Sequence, residues 1–158
     1  MPDDAAKAAR HLHISDATLR GLVGYNMKRA FNVISADLAR TLEPFDLRML
    51  TYTALTLVAD NPGLSQSQLA KAMQVERPNL VVIVDELETR GLITRDRVPT
   101  DRRTYALRVT PEGALLLGEA SRAVAHHENQ IMGGLTAAEE SALIATLNRI
   151  ETSTTGGS

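Results

Sequence analysis

The segment VPTDRRTYALRVTPEG, residues 98–113, closes a stretch unusually rich in guanidinium groups. Arginines stand at 90, 95, 97, 102, 103 and 108, and only Asp96 and Asp101 oppose them. These six against two give a local net charge of +4 in a chain of 158 residues whose formal net charge is -2. Guanidinium forks are permanently charged and match phosphate oxygens in geometry, so such a cluster reads as an anion-contacting surface. Asp101, among them, would repel a phosphate. The plain alternative is a solvated turn kept soluble by its arginines.

A second constellation lies upstream in PNLVVIVDELETRGL. Leu80, Ile83, Val84 and Leu87 recur at helical spacing and claim a core face, which leaves Arg77, Asn79, Val81, Val82 and Asp85 outward. Arginine fits the acceptor pair of guanine and asparagine the edge of adenine, so Arg77 and Asn79 are the candidates for reading bases. Val81 and Val82 can offer only an apolar contact to a thymine methyl, or pack inside the protein. Ser65 and Gln66 open another helix, a position suited to a phosphate, although Ser65 also serves as a cap. Arg95, Arg97 and Arg102 are expected to contact phosphates, with a strand brace as the other role for Arg95.

The elements that must position these groups are short. Residues 16–42 carry Leu19, Leu22, Val23, Met27, Ala30, Phe31, Ile34 and Leu38 at intervals of three and four, which predicts one amphipathic helix ended by Glu43-Pro44. Asp46 is the expected cap of a second helix running to Val58, stopped by Asn61-Pro62-Gly63. In LSQSQLAKAM, Ser65 and Gln68 have capping-box spacing, with Leu64 and Leu69 as a hydrophobic staple. Gln74 to Arg77 make a turn into the next helix, which Gly91 terminates. A hairpin follows, with strands over 93–97 and 104–110. Thr110 and Pro111 start a helix to about Met132, and Thr136 with Glu139 form a second capping box before a last helix bearing Leu143, Leu147 and Ile150. Residues 1–15 read as a flexible arm, and the tail over 152–158 as disordered.

Cysteine is absent, which removes disulfides, thiolate nucleophiles and cysteine metal sites. No apolar run approaches a membrane span or a signal-peptide core, so a cytoplasmic protein without membrane contact is expected. Adjacent His126 and His127 point about 100° apart on a helix and do not share an ion easily, so no metal site is expected. No nucleophile and base converge in the pattern, so no enzyme is expected and no cofactor is called for.

Helix, tight turn, helix and arginine-tipped hairpin is the order of a winged helix-turn-helix. The block NPGLSQSQLAKAMQVERPNLVVIVDELETRGLITRDRVPTDRRTYALRVTPEG resembles the centre of the MarR family of bacterial transcription regulators, through LSQSQLA, LETRGLITR, the DRR wing tip and the VTPEG return. The specific likeness covers residues 44–117. It implies a mostly α fold with a small β-hairpin wing, a DNA-binding domain over 44–112, and dimerisation helices over 16–43 and 113–151. It further implies a repressor that binds a pseudo-palindromic double-stranded operator as a homodimer and is released by a small effector. The wing-tip Arg103 would then lie in or beside the minor groove, with Asp101 holding the wing. Family members often carry Ser and Arg at the places of Val81 and Val82, so this chain is expected to lean more on wing and shape.

The stretch GYNMKRAFNV followed by PFDLRML is similar to family members that govern aromatic-acid catabolism, some of which sense hydroxycinnamoyl-CoA thioesters. The resemblance implies an effector pocket lined by Tyr25, Arg29, Arg48, Tyr52 and His126, and a phenolic acid or its CoA thioester as ligand. The alternative reading is a helical dimer acting as a protein-interaction or ligand-sequestering module.

Overall fold

The computed structural model describes residues 14–153, and for residues 101–104 the backbone but not the side chains. Within this range seven α-helices and a three-stranded sheet follow in order: α1 Ala17–Arg20, α2 Val23–Leu42, α3 Met49–Asp60, β1 Leu64–Ser65, α4 Gln66–Met73, α5 Arg77–Thr89, β2 Ile93–Val98, β3 Asp101–Val109, α6 Pro111–Ile131 and α7 Ala137–Ser153. The chain divides into two compact units, Met1–Ser35 and Ala36–Ser158.

In the first unit the helix expected from residue 16 onward is broken. Gly21 and Leu22 close tight turns onto the carbonyls of Thr18 and Leu19. The amide of Asn26 then donates to the carbonyls of Arg20 and Leu22, both at 2.8 Å. A side chain that satisfies the orphaned carbonyls makes the break cheap, and apolar periodicity is blind to it.

The second unit carries the core. Leu55, Val58, Leu69, Leu80, Val84, Leu87, Ile93 and Leu107 are each at most 1% exposed. They draw on α3, α4, α5 and the sheet together, so the helix-turn-helix and the wing share one apolar centre. The predicted core face of α5 is the observed one.

Asp46 does not cap α3. It sits in the left-handed region (φ 51°) at the end of a 3-10 turn, Glu43–Phe45, where its N–H closes onto the carbonyl of Glu43. Burial of Leu42 and Leu47 on either side demands a sharp reversal there. Arg48 is the cap position instead, and the Thr51 hydroxyl accepts from the Arg48 N–H at 2.9 Å.

The Ser65–Gln68 capping box forms as expected, with Gln68 N–H donating to Ser65 Oγ at 3.2 Å and Ser65 N–H donating to Gln68 Oε1 at 2.9 Å. Leu64 and Ser65 also pair as a third strand with Leu107 and Ala106, so the sheet order is β1-β3-β2. Two residues are too few to carry a strand pattern of their own. The hairpin strands are longer than expected, and the register slips between Arg97 and Val98 next to the tip.

Thr110 caps α6 by accepting from Gly113 N–H at 3.0 Å, and its hydroxyl donates to the carbonyl of Gly91. Gly113 is required here, because a Cβ would stand 2.1 Å from the carbonyl oxygen of Leu92. Gly91 ends α5 with φ 69°, as a glycine cap should. The Thr136–Glu139 box opens α7 as expected, and α7 runs through Ser153, past the point where the tail was to become disordered. In its last turn the Thr152 hydroxyl donates to the carbonyl of Asn148 at 3.0 Å. Residues 1–13 of the expected flexible arm, and the expected tail beyond 153, lie outside the described residues.

Candidate nucleic-acid interface

Helix α5 begins after a turn at Gln74, whose left-handed backbone (φ 54°) ends α4. With Leu80, Ile83, Val84 and Leu87 buried, its first two turns present Arg77, Pro78, Asn79, Val81 and Val82 to solvent. Val81 is 42% exposed and Val82 63%, so the valines do not pack inside the protein. No ion pair or side-chain hydrogen bond holds Arg77 or Asn79 among the described residues. Both keep their donors free for an incoming partner.

The acidic groups on α5 are not free. Arg95, on β2, bonds Asp85 and brings its Nε to 3.3 Å from Glu88. Its side chain is 21% exposed, against 54% for Asp85 and 43% for Glu88. Arg95 therefore braces the wing to α5, and its single positive charge offsets one of the two carboxylate charges that would repel a polyanion. Arg108 pairs with Asp96 at 3.2 Å across the hairpin, and Arg90 donates to the carbonyls of Phe45 and Asp46. Three of the six clustered arginines are thus engaged within the fold. Arg97 is exposed and unpaired among the described residues, in register with Tyr105. The backbone carries Asp101, Arg102 and Arg103 onto the start of β3, directly after the tip.

Ser65 spends its hydroxyl on the cap, and Gln66 is half-buried as the first residue of α4. A groove between α4 and the start of α5 is lined by Ser67, Gln68, Lys71, Gln74, Glu76 and Arg77. Sequence reasoning did not single out Ser67, Lys71 or Gln74. The spacing of Ser67 and Lys71, four apart and both off the Leu69–Ala70 core positions, was the available signal.

The five residues expected to line an effector pocket are divided between the two units. In the first, the Tyr25 hydroxyl donates to Asp16 at 2.7 Å, and Arg20 lies 5.6 Å from the centre of the ring. That hydrogen bond holds the Asp16 carboxyl below the usual carboxylate range and raises the Tyr25 hydroxyl above its ordinary value of 10.0. Arg29 is exposed. In the second unit Arg48 pairs with Glu86 of α5, the Tyr52 hydroxyl shares a hydrogen bond with Ser121 at 3.1 Å, and His126 faces solvent. No described contact joins those three. The buried histidine is its neighbour His127, 3.1 Å from Asp37 through Nδ1, with Nε2 unpartnered among the described residues. Arg40, Leu47, Arg48 and Glu86 border a shallow groove where the 3-10 turn meets α5.

Among the described residues no three His, Asp or Glu gather to hold a metal, and no helix is long and apolar enough to cross a membrane.

Comparison with known proteins agrees with this geometry. The model of the MarR family matches residues 45–104, from the 3-10 turn to the start of β3. A putative transcriptional regulatory protein for the hcr operon of Thauera aromatica is 38% identical over 134 residues, covering 84% of this chain and 81% of the relative. The transcriptional repressor CouR bound to a 23-mer DNA duplex superposes with a TM-score of 0.84 at 34% identity, over 87% of this chain and 98% of that one. CouR bound to p-coumaroyl-CoA superposes with a TM-score of 0.78 at 32% identity, over 87% and 97%. That family consists of transcriptional regulators and not of enzymes. An exposed recognition helix braced to an arginine-bearing wing, on a chain this similar to known regulators, identifies the protein as a member of the MarR family of transcriptional regulators.

Proposed function

We propose that this regulator represses transcription by binding a pseudo-palindromic DNA operator as a homodimer in the cytoplasm, without catalysis, and that a small aromatic effector releases it. The observation that carries the reading is the charge arrangement on α5: Arg77 and Asn79 are unpaired among the described residues while Arg95 pairs with Asp85 and Glu88. A helix face prepared in this way suits a polyanion, with Arg97, Arg102 and Arg103 of the wing, the cap residue Ser65, and Gln66 and Lys71 of α4 set beside the phosphates. Asp101 orients the wing tip. In this reading residues 44–112 are the DNA-binding part and the flanking helices, 16–43 and 113–151, are the dimer interface. Exposed Leu143, Ile144, Leu147 and Ile150 on α7 support the second role.

The similarity to CouR bound to p-coumaroyl-CoA favours an aromatic CoA thioester or its parent phenolic acid as effector. Tyr25, Arg29, Arg48, Tyr52 and His126 remain the residues proposed to meet it. Arg48 is the informative one, because its present partner Glu86 belongs to the recognition helix. The groove beside it holds Glu43, Asp46 and Glu86 opposite Arg40 and Arg48. An anionic effector that separated Arg48 from Glu86 there would act directly on α5.

The test is the affinity of the full chain for its own upstream intergenic DNA against a scrambled duplex, at two salt concentrations, with and without p-coumaroyl-CoA, CoA and p-coumarate. Preference for the native duplex, steep loss with salt and release by the thioester are expected. Arg103→Ala should reduce the slope of log affinity against log salt by about one. Equal, weak binding to both duplexes, with no preference recovered at low salt, would overturn the reading.

A further inference from the structure

The valine pair on α5 has no role in the fold. Val81 and Val82 are 42% and 63% exposed, belong to no core cluster, and lie with Pro78 on the helix face opposite Leu80, Ile83, Val84 and Leu87. β-Branched residues are also poor choices for exposed helix positions, because their rotamers are restricted against the preceding turn. A local preference broken without any gain in packing is the mark of a contact made outside the chain. Helical spacing sets Arg77 one turn before Val81, and Asn79 three residues before Val82. The apolar strip is therefore flanked by two donors of the kind that read purines, unpaired among the described residues, on a helix whose acids Asp85 and Glu88 are both paired with Arg95.

Resting on the proposed operator binding, we infer that Val81 and Val82 read the C5-methyl groups of thymines in the major groove, and that each operator half-site carries thymine under the first two turns of α5. The methyl group is the one apolar feature that a base pair displays in that groove, and a valine isopropyl group has no donor or acceptor with which to read anything else. Charge complementarity selects DNA over an apolar protein partner. An apolar protein groove would have to leave Arg77 and Asn79 unpaired on burial, whereas base edges and phosphates satisfy both.

The test is selection of the full chain against a random duplex library, followed by replacement of each enriched thymine with deoxyuridine, which removes only the methyl group. Enriched half-sites should contain thymine at the positions facing α5. At those positions deoxyuridine should lower affinity about fourfold per methyl. Val82→Ala, at a solvent-exposed site that leaves the core intact, should weaken the thymine duplex by a similar factor and abolish the thymine-to-deoxyuridine difference at its own position. Val81→Ala should do the same at the neighbouring position. Thymine and deoxyuridine duplexes bound within about twofold of each other would overturn the valine assignment while leaving operator binding intact. So would a deoxyuridine penalty that survives in the doubly substituted Val81→Ala, Val82→Ala chain. Failure to enrich any sequence would overturn the inference together with the operator reading on which it rests.

Discussion

Helices α5 and α7 both leave branched apolar residues in solvent, and what surrounds those residues separates their roles. On α5, Val81 and Val82 stand between Arg77 and Asn79, while Arg95 answers the nearby carboxylates. On α7, Leu143, Ile144, Leu147 and Ile150 are 37% to 52% exposed, and no residue of the helix is buried. Its first turn carries Glu139 and Glu140, and its last turn has no base. An apolar strip between free cations and amides suits a polyanion with apolar marks on it. A continuous apolar face on an otherwise acidic helix suits a like surface from a second copy. Exposure alone would have assigned the two helices the same role, and the charges separate them.

The sharpest way to break this contrast is to charge the α7 face. The double substitution Leu147→Glu, Ile150→Glu should halve the mass seen by light scattering and lower operator affinity more than about 100-fold, because a dimer that reads two half-sites loses one of them. Retained mass and retained affinity would mean that α7 is not the dimer face. A smaller effect is expected on α5. Arg95→Ala uncovers Asp85 and Glu88 beside the DNA, and should lower operator affinity about tenfold, equivalent to about 1.4 kcal/mol. Adding Asp85→Asn to that variant should restore part of the loss. If the second change restores nothing, Arg95 contacts DNA itself and the charge-cancelling account is wrong.

The smallest effect concerns the start of α7. Hydrogen bonds from the Thr136 backbone and hydroxyl hold the Glu139 carboxyl below its ordinary value of 4.5. A depressed carboxylate contributes stability that is present above about 4.5 and is lost as the pH falls through the folded-state value. Glu139→Ala should lower Tm at neutral pH by less than about 3 °C, and the difference from the parent chain should vanish in acid. A difference that persists unchanged in acid would show that the carboxylate is not the group responsible. An effector that works through Arg48 adds one more separation. Glu86→Gln should weaken the tie between α3 and α5 and lower the thioester concentration needed for release by about threefold, with a small change in operator affinity without effector. Effector titrations of operator binding would read this directly.

Most of the fold was legible because its signals are local. The Ser65–Gln68 and Thr136–Glu139 boxes, the Thr110 cap with Pro111, the glycine at 91 and the core face of α5 each lie within a few residues of one another, and each stands as expected. Asp46 failed as a cap for a reason no local rule contains: the neighbouring Leu42 and Leu47 had to be buried together. The break at Gly21–Leu22 depended on a side chain four or more residues away, and β1 existed only because β3 was there to pair with it.

At the site the same division holds. Residue types alone determined that an arginine-bearing hairpin follows a helix-turn-helix, and that Arg77 and Asn79 face away from the apolar positions of α5, because helical periodicity decides faces. Which arginines are free was a tertiary matter. Arg90 reaches 45 residues back to Phe45, Arg48 reaches 38 residues forward to Glu86, and Arg95 turns onto Asp85 and Glu88. His127 rather than His126 is buried against Asp37, ninety residues distant in sequence. Whether Val81 and Val82 pack or project was likewise open until the core around Leu80 and Val84 was seen to close without them. Charge and periodicity are properties of the chain, but pairing and burial are properties of what the fold brings alongside, and a binding face is whatever the fold leaves unpaired.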